Sequence, residues 1–298
     1  MAVWKPEVML FHGRCEDGFG AAFAAWLRWG DQVEYIPCAY GDPVPVERVS
    51  GKHVLMADFS FKRPDMEELG RCATSVVVLD HHESAEKELG PWSVSLSAGQ
   101  LGNVICLEDW WGCNKDGFAI KAVFDMKKSG VRLAWEFCHP NIVIPRWVEL
   151  IEDRDLWRFK YGEETREFSA GLRSYSQDFG IWVELFRHIH MLCDQGKHIL
   201  RSERKLIEGF CADAYETTIG DYTVPCVNTH YHFASDCANR LLMLYPSAPF
   251  AISWFRRGNK IAYSLRSEDG RVNVAEVAEK LGGGGHRNSA GVTVAITD

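Results

Sequence analysis

Three short apolar runs in the first third of the chain have the length and composition of buried β-strands. Residues 8–11 (VMLF), 54–56 (VLM) and 76–79 (VVVL) are apolar throughout instead of alternating with polar positions. Such runs are typical of parallel strands covered by helices on both faces. Residues 18–29 (GFGAAFAAWLRW), between the first two runs, are mostly small or apolar and predict a tightly packed helix.

Strands that alternate with helices predict a doubly wound α/β domain. In such domains, ligands bind at the carboxyl ends of the parallel strands. Further along, residues 129–135 and 148–157 have helical spacing, with Ser129 as a candidate N-cap. Residues 83–124 are long for a simple connection and are compatible with a lid or an insertion.

The last third of the chain has a different pattern. Residues 196–214 predict a polar helix that joins the two halves, and residues 215–298 are rich in predicted strands, with a short helix at 274–281. We therefore expect two α/β domains facing each other across a cleft. Their boundaries are 1–195 for the first domain, 196–214 for the linker helix and 215–298 for the second.

Composition limits the cellular location and the binding partners that we expect for this protein. Of the 298 residues, 46% are hydrophobic and 25% are charged, which is a globular composition. The sequence contains no run of about 18 apolar residues, so it predicts no membrane span. The N-terminal residues lack the pattern of a signal peptide, and the ten cysteines form no CxxC pair, so we expect a cytoplasmic protein with reduced thiols. A formal net charge of −8 favours a small phosphorylated substrate over a long nucleic acid.

Polar residues that can bind metals follow each of the three apolar runs. These residues are His12 and Asp17, Asp58, and the triplet Asp80, His81 and His82. Carboxylates clustered at one edge of a sheet repel each other unless a cation lies among them. Imidazoles and carboxylates at this density suit Mn²⁺ or a similar divalent ion, and a pair of ions needs a bridging carboxylate, for which Asp58 is the candidate.

Five motifs in this chain resemble, in order, those of the DHH phosphoesterase superfamily with an appended DHHA1 domain. They span residues 11–291 and read FHGRCEDGFGAA, MADFSF, VVVLDHHES, IEDRDLW and GGGGHRNSAG. A single DHH triplet would be weak evidence, whereas the ordered set is specific. The first motif is similar to that of the oligoribonuclease branch, which comprises nanoRNases and NrnB-like enzymes.

The resemblance implies a role for each matching residue. His12 would bind the first metal ion, Asp17 the second, and Asp58 both. His81 and Asp153 would complete the second site, although Asp155 lies close enough in sequence to exchange roles with Asp153. His82 would face the scissile phosphate, and Asp80 would orient the neighbouring imidazoles.

Cys15 occupies a position at which many relatives have an aspartate. A cysteine thiolate is a softer ligand and would shift the metal preference away from Mn²⁺. The alternatives are that Cys15 only lies near a weak first site, or that Glu16 replaces it as a ligand.

The C-terminal motif predicts a nucleotide clamp. Consecutive glycines permit a close approach of backbone amides to a phosphate, and a helix starting near Arg287 would add a favourable dipole. The resemblance implies that the clamp binds the nucleotide distant from the cleavage point. Its expected residues are Arg266, Gly284, Gly285, His286 and Asn288.

Together these features predict a phosphodiesterase that uses two Mn²⁺ ions, or other divalent ions, to hydrolyse dinucleotides or short oligoribonucleotides to mononucleotides. Linear dinucleotides of the pGpG type are attractive substrates, and no long nucleic acid or membrane partner is expected. The alternative activities are a cyclic-dinucleotide phosphodiesterase and a 3′-phosphonucleotide phosphatase. A non-enzymatic alternative is a nucleotide-binding sensor whose metal site has decayed at Cys15.

Overall fold

The computed structural model describes residues 4–13, 15–96, 101 and 117–296. The chain divides into two compact units, Met1–Ile199 and Leu200–Asp298. No helix among these described residues has the length and apolar character needed to cross a membrane.

The first unit is built on a five-stranded parallel sheet with strand order β2-β1-β3-β4-β5. Its strands are β1 (Val8–His12), β2 (Glu34–Cys38), β3 (His53–Ala57), β4 (Ser75–Asp80) and β5 (Ile120–Phe124). The chain runs from β1 to one side of the sheet and then returns past β1 to β3. The strand order therefore reverses beside β1, where doubly wound sheets form a ligand-binding crevice.

Nine helices accompany this sheet in the described part of the chain. They are α1 (Glu16–Trp29), α2 (Val46–Val49), α3 (Arg63–Cys72), α4 (Glu83–Leu89), α5 (Gly130–Cys138), α6 (Arg146–Asp155), α7 (Glu163–Arg173), α8 (Phe179–Arg187) and α9 (Ile189–Ala212). The division between the two units falls inside α9.

Both faces of the parallel sheet are buried, which explains the continuous apolar runs in its sequence. Met9 of β1 packs into the core cluster that contains α1 and α5, whereas Leu10 packs into the cluster on the opposite face. Successive side chains of a strand point to opposite faces, so both positions must be apolar.

The second unit contains a six-stranded mixed sheet with strand order β10-β11-β9-β8-β7-β6. Its strands are β6 (Tyr215–Ile219), β7 (Tyr222–Asn228), β8 (Ala251–Arg257), β9 (Lys260–Arg266), β10 (Gly284–His286) and β11 (Ser289–Ala295). Helix α10 (Ala234–Leu244) packs on one face, and helix α11 (Val274–Lys280) packs on the other. Among the described strands of this second sheet, β7 and β8 pair in parallel and the other neighbours pair antiparallel.

The three predicted strands of the first unit are confirmed as β1, β3 and β4. The sequence pattern did not predict β2, β5 or helix α10. The expected insertion at 83–124 contains α4 and β5, while its residues 97–100 and 102–116 lie outside the described residues.

Candidate metal centre

The carboxyl edge of the parallel sheet brings the acidic and imidazole side chains together. His12 is the last residue of β1, Asp58 follows β3 directly, and Asp80 is the last residue of β4. Since parallel strands end at the same edge, residues distant in sequence converge there. His81 and Asp58 are almost completely buried, at 1% and 2% exposure, so their charges are removed from bulk water.

One group of possible ligands consists of His12, Cys15 and Asp58. Sγ of Cys15 lies 3.2 Å from Nδ1 of His12 and 3.1 Å from Oδ2 of Asp58. Nδ1 of His12 lies 3.6 Å from the same carboxylate oxygen. Neighbouring ligands around one ion with bonds near 2.1 Å lie about 3.0–3.5 Å apart, so this spacing suits a single cation.

A second group consists of Asp17, Asp58 and His81. Nε2 of His81 lies 3.0 Å from Oδ1 of Asp58 and 3.5 Å from Oδ2 of Asp17. Oδ2 of Asp155, at the end of α6, lies 3.6 Å from the same nitrogen. Asp155 therefore joins this group as a fourth candidate ligand.

Asp58 contributes a different oxygen to each group. Oδ2 faces His12 and Cys15, and Oδ1 faces His81. The backbone at Asp58 has φ = 55°, a left-handed conformation that a residue other than glycine rarely adopts. Such strained residues occur at functional sites, and here the strained residue is the one whose carboxylate lies between both groups.

The N-terminal turn of helix α5 binds the carboxylate of Asp17. The amides of Gly130 and Val131, in the first turn of α5, donate to Oδ2 and Oδ1 of Asp17 at 2.6 and 2.9 Å. Helix N-termini favour negative charge, so this contact orients the buried carboxylate. A Cβ atom at position 130 would lie 2.4 Å from Cβ of Asp58, which requires glycine there.

The expected role of Asp153 is not supported by its position. Its carboxylate accepts hydrogen bonds from the amides of Lys160 and Tyr161 at 2.8 and 3.2 Å and from Oγ1 of Thr165 at 2.5 Å. Neither Asp153 nor Asp155 belongs to the ligand groups found among the described residues, but Oδ2 of Asp155 lies 3.6 Å from Nε2 of His81. The end of α6 therefore directs Asp153 into the following turn and Asp155 into the metal centre.

Asp80 orients His82. Its Oδ1 accepts the backbone amide of His81 at 2.7 Å, and lies 2.7 Å from Nδ1 of His82. Asp80 is completely buried, which makes this contact strong. The pairing fixes the plane of the His82 imidazole.

The charges of the centre are strongly coupled. Burial, followed by the negative charge of Asp58, raises the pKa of Asp17 well above its ordinary value. Partial burial of its side chain, which is 29% exposed, also raises the pKa of Asp155. Although burial favours a neutral imidazole, the hydrogen bond to Asp58 and the charge of Asp155 raise the pKa of His81 to about 10.

These pKa shifts indicate that the ionised state of the carboxylates depends on a nearby positive charge. Hydrogen bonds from His12 and His81 outweigh the effect of burial and hold the pKa of Asp58 well below its ordinary value. Divalent cations supply the same compensation more completely. The donor set of imidazole, carboxylate and thiol therefore fits two divalent cations that share Asp58.

Cys15 has two structural roles besides its place in the first group. It is the N-cap of α1, where Sγ accepts the amide of Gly18 at 3.2 Å, and its thiol donates to Asp58. Burial and the charge of Asp58 raise the pKa of the Cys15 thiol well above its ordinary value. Glu16 belongs to none of the ligand groups in the described part of the chain.

The second unit aligns two of the expected clamp residues. Arg266 of β9 lies opposite Ser289 of β11, and Ser289 lies opposite His286 of β10. Directly opposed residues in an antiparallel sheet share a face, so Arg266, Ser289 and His286 form one row. The Arg266 guanidinium also donates to Oγ of Ser235.

The sequence is compatible with a helix that starts near Arg287. In the structure, the glycine-rich segment leads into strand β11 instead. Arg287 and Asn288 form the two-residue connection of a β-hairpin, and Nδ2 of Asn288 donates to Asp269 at 2.8 Å. Gly285 has φ = 143°, and a Cβ there would lie 2.5 Å from the carbonyl oxygen of Ser289. Gly284 is the first residue of β10 and pairs with Gly291. The glycines permit the tight hairpin that presents His286.

Sequence reasoning did not identify Gly130 or Thr165 as important residues. Gly130 follows the predicted N-cap Ser129, but only the close approach of Asp58 and Asp17 shows why a side chain is excluded. Thr165 lies twelve residues after Asp153, in the next helix, and no local pattern links the two.

Comparisons with known proteins agree with this architecture. A DHHA1 domain model matches residues 222–297. An uncharacterized protein of Acanthamoeba polyphaga mimivirus is 29% identical to this chain, over 97% of this chain and 67% of that protein.

Two solved structures match along the chain. The DHH domain of a member of the s1p family of ribosomal proteins has a TM-score of 0.58 at 13% identity, covering 96% of this chain and 82% of that chain. A pGpG-specific phosphodiesterase, PggH from Vibrio cholerae, has a TM-score of 0.48 at 13% identity, covering 97% of this chain and 93% of that chain. The first of these shares the fold. The parallel sheet that carries the Asp80, His81 and His82 triplet therefore has the fold of a DHH domain, and residues 222–297 match a DHHA1 domain.

Proposed function

We propose that this protein is a divalent-metal-dependent phosphodiesterase that hydrolyses dinucleotides and short oligoribonucleotides to mononucleotides. The observation that carries the proposal is the position of Asp58, whose two carboxylate oxygens face two separate groups of ligands. His12 and Cys15 would complete one metal site with Asp58. Asp17, His81 and Asp155 would complete the other.

Mn²⁺ is the proposed ion, because imidazole and carboxylate ligands dominate the set. Two such ions supply a nucleophile from water at neutral pH and neutralise the charge of a phosphoryl group. The asymmetry of the ligands distinguishes the two sites, since only the first includes a sulfur atom. We expect the site with Asp17, His81 and Asp155 to hold its ion more tightly when Mn²⁺ is the metal.

His82 is the proposed residue that contacts the scissile phosphate. Although burial favours its neutral form, the charge of Asp80 and the hydrogen bond between them raise the pKa of His82. A larger protonated fraction lets Nε2 donate to a phosphate oxygen or to the departing oxygen. Asp80 itself holds the ring in orientation and does not contact the substrate.

The second unit and the charge of the chain support the proposed substrate class. Arg266 and His286 offer cationic or hydrogen-bonding groups along one row of a sheet, which suits a phosphate or a base edge of a single nucleotide. The net charge of −8 disfavours a long polyanion. We propose that the DHHA1 unit binds the nucleotide that is not at the metal centre, and that linear dinucleotides such as pGpG are substrates.

The test is a length series of 5′-phosphorylated oligoribonucleotides, from two to about ten units, assayed with Mn²⁺. We expect the highest kcat/KM for the shortest substrates, because remote contacts position the reacting phosphate only when the spacing fits. Asp58→Ala serves as the inactive control. Absence of product with every length, or equal rates across the series, would contradict the proposal.

A nucleotide-binding sensor is the second candidate, and Cys15 is the observation that favours it. The raised pKa keeps its thiol protonated in the metal-free centre, and a protonated thiol is a poor ligand. In that case a dinucleotide would bind without turnover, with or without Mn²⁺. Binding that is abolished by Arg266→Ala, in the absence of any product, would identify the sensor.

A further inference from the structure

Tyr40 lies in a tight turn at the carboxyl edge of the parallel sheet. The amide of Asp42 donates to the carbonyl of Ala39 at 3.0 Å, and the amide of Ala39 donates to Oδ2 of Asp42 at 2.8 Å. Gly41, with φ = 91°, adopts the positive φ that the third position of a type II turn requires. Tyr40 is therefore held at the corner of a turn with two internal hydrogen bonds.

The Tyr40 ring packs against residues of the metal centre. Its centroid lies 5.7 Å from that of His12, 6.2 Å from that of His82 and 5.3 Å from that of Phe59. Phe59 is fully buried, and its ring stacks with that of His12 at a centroid distance of 6.4 Å. Tyr40 thus lies beside both the proposed ligand of the first metal ion and the proposed phosphate-contacting histidine.

Tyr40 as a whole residue is largely exposed to solvent. Tyr40 is 57% exposed, whereas Phe59 is 0% exposed. A large aromatic side chain fixed in a turn gains little from packing when more than half of its surface remains in water. Tyr40 follows β2, the strand that pairs with β1, at the edge where doubly wound sheets bind their ligands.

We propose that Tyr40 is a substrate-binding residue whose exposed ring stacks on the nucleobase attached to the scissile phosphate. This inference rests on the proposed function, since it places a nucleoside beside the metal centre. Stacking on an aromatic ring tolerates every base, because each base has a π-face. Tyr40 would therefore favour nucleotides over other phosphodiesters without selecting a base.

The experiment compares the native protein with Tyr40→Phe and Tyr40→Ala. Turnover is measured with a dinucleotide and with two analogues, each lacking one base. Binding of guanosine 5′-monophosphate and of ribose 5-phosphate is measured separately in the presence of Mg²⁺. A variant that retains the aromatic ring distinguishes stacking from any contribution of the hydroxyl group.

We expect Tyr40→Ala to raise the KM for the dinucleotide by about 10-fold, with Tyr40→Phe close to the native protein. One abasic analogue should show no further loss with Tyr40→Ala, because the base that stacks is already missing. Guanosine 5′-monophosphate should bind about 10-fold more weakly to Tyr40→Ala, and ribose 5-phosphate equally to all three proteins.

Equal losses for the dinucleotide and both analogues would overturn the inference, because Tyr40 would then only support His12. A loss with Tyr40→Phe as large as that with Tyr40→Ala would also overturn it. The binding arm separates the two proposals. A base-dependent difference in binding without any turnover would support the stacking role and contradict the phosphodiesterase activity. Turnover without that difference would support the phosphodiesterase activity and contradict the stacking role.

Discussion

Oδ2 of Asp155 lies 3.6 Å from Nε2 of His81, although one residue ends a helix and the other follows a central strand of the sheet. Asp153, only two residues earlier, instead accepts three hydrogen bonds from residues 160, 161 and 165. Neighbouring aspartates of one motif therefore have different environments. This difference makes their substitutions distinguishable.

Asp155→Asn should weaken metal binding and leave the metal-free protein as stable as before, or more stable. The substitution removes one negative charge from a crowded group of carboxylates, in which burial already raises the pKa of Asp155. Asp153→Asn should instead lower the free energy of unfolding by about 2–4 kcal/mol, because a buried acceptor of several hydrogen bonds is lost. Urea denaturation in a chelator and Mn²⁺ titration measure the two effects, and identical behaviour of both variants would contradict the assignment.

Asp58→Ala should reduce metal stoichiometry from two ions to fewer than one and lower kcat/KM by at least about 100-fold. One carboxylate faces both ligand groups, so its loss affects both sites together. Metal content is measured by equilibrium dialysis with elemental analysis. His12→Ala is the matched control, because it should affect only the first ion; loss of a single ion in Asp58→Ala would argue against a bridging role.

Cys15→Asp should raise the affinity of the first site for Mn²⁺, since it replaces a soft ligand with a hard one. Cys15→Ser should retain a hydroxyl at the N-cap of α1 but lose the sulfur ligand. With Co²⁺, a sulfur–metal charge-transfer band is expected for the native protein and not for Cys15→Ser. Absence of that band in the native protein would show that Cys15 is not a ligand.

Metal affinity should rise with pH, and binding should release protons. The raised pKa, about 10, keeps His81 protonated at neutral pH in the metal-free centre, so a cation must displace that proton. In the metal-free protein, this pairing contributes stability below the unfolded pKa of about 6.5, and the contribution is lost as pH rises through about 10. Calorimetric titration in buffers of different ionisation enthalpy measures the released protons; an unchanged enthalpy would contradict this prediction.

Gly130→Ala should destabilise the fold and disturb the metal centre. The new Cβ would lie 2.4 Å from Cβ of Asp58 and 2.9 Å from Oδ2 of Asp17, so the first turn of α5 must move. Gly209→Ala in α9 is the control, because its Cβ meets no atom within 4 Å. It should stabilise the helix by about 1 kcal/mol. Thermal melts in the presence and absence of Mn²⁺ compare the two variants.

The sequence alone determined much of the first unit. Continuous apolar runs predict β1, β3 and β4, because strands buried on both faces must be apolar at every position. Strand β2 escaped prediction because it is an edge strand with polar positions. It includes Pro37, which an edge strand tolerates since proline lacks an amide hydrogen.

The tertiary structure decided the ligands and the hairpin. Asp153 and Asp155 are equivalent in composition, and only contacts with Thr165 in the next helix and with His81 from another strand separate them. The glycine-rich segment is compatible with several backbone conformations, and pairing of β10 with β11 selects a hairpin instead of a helix. Residue types therefore determined which chemistry the chain can support, while long-range packing determined which side chains meet, because that choice depends on contacts between segments distant in sequence.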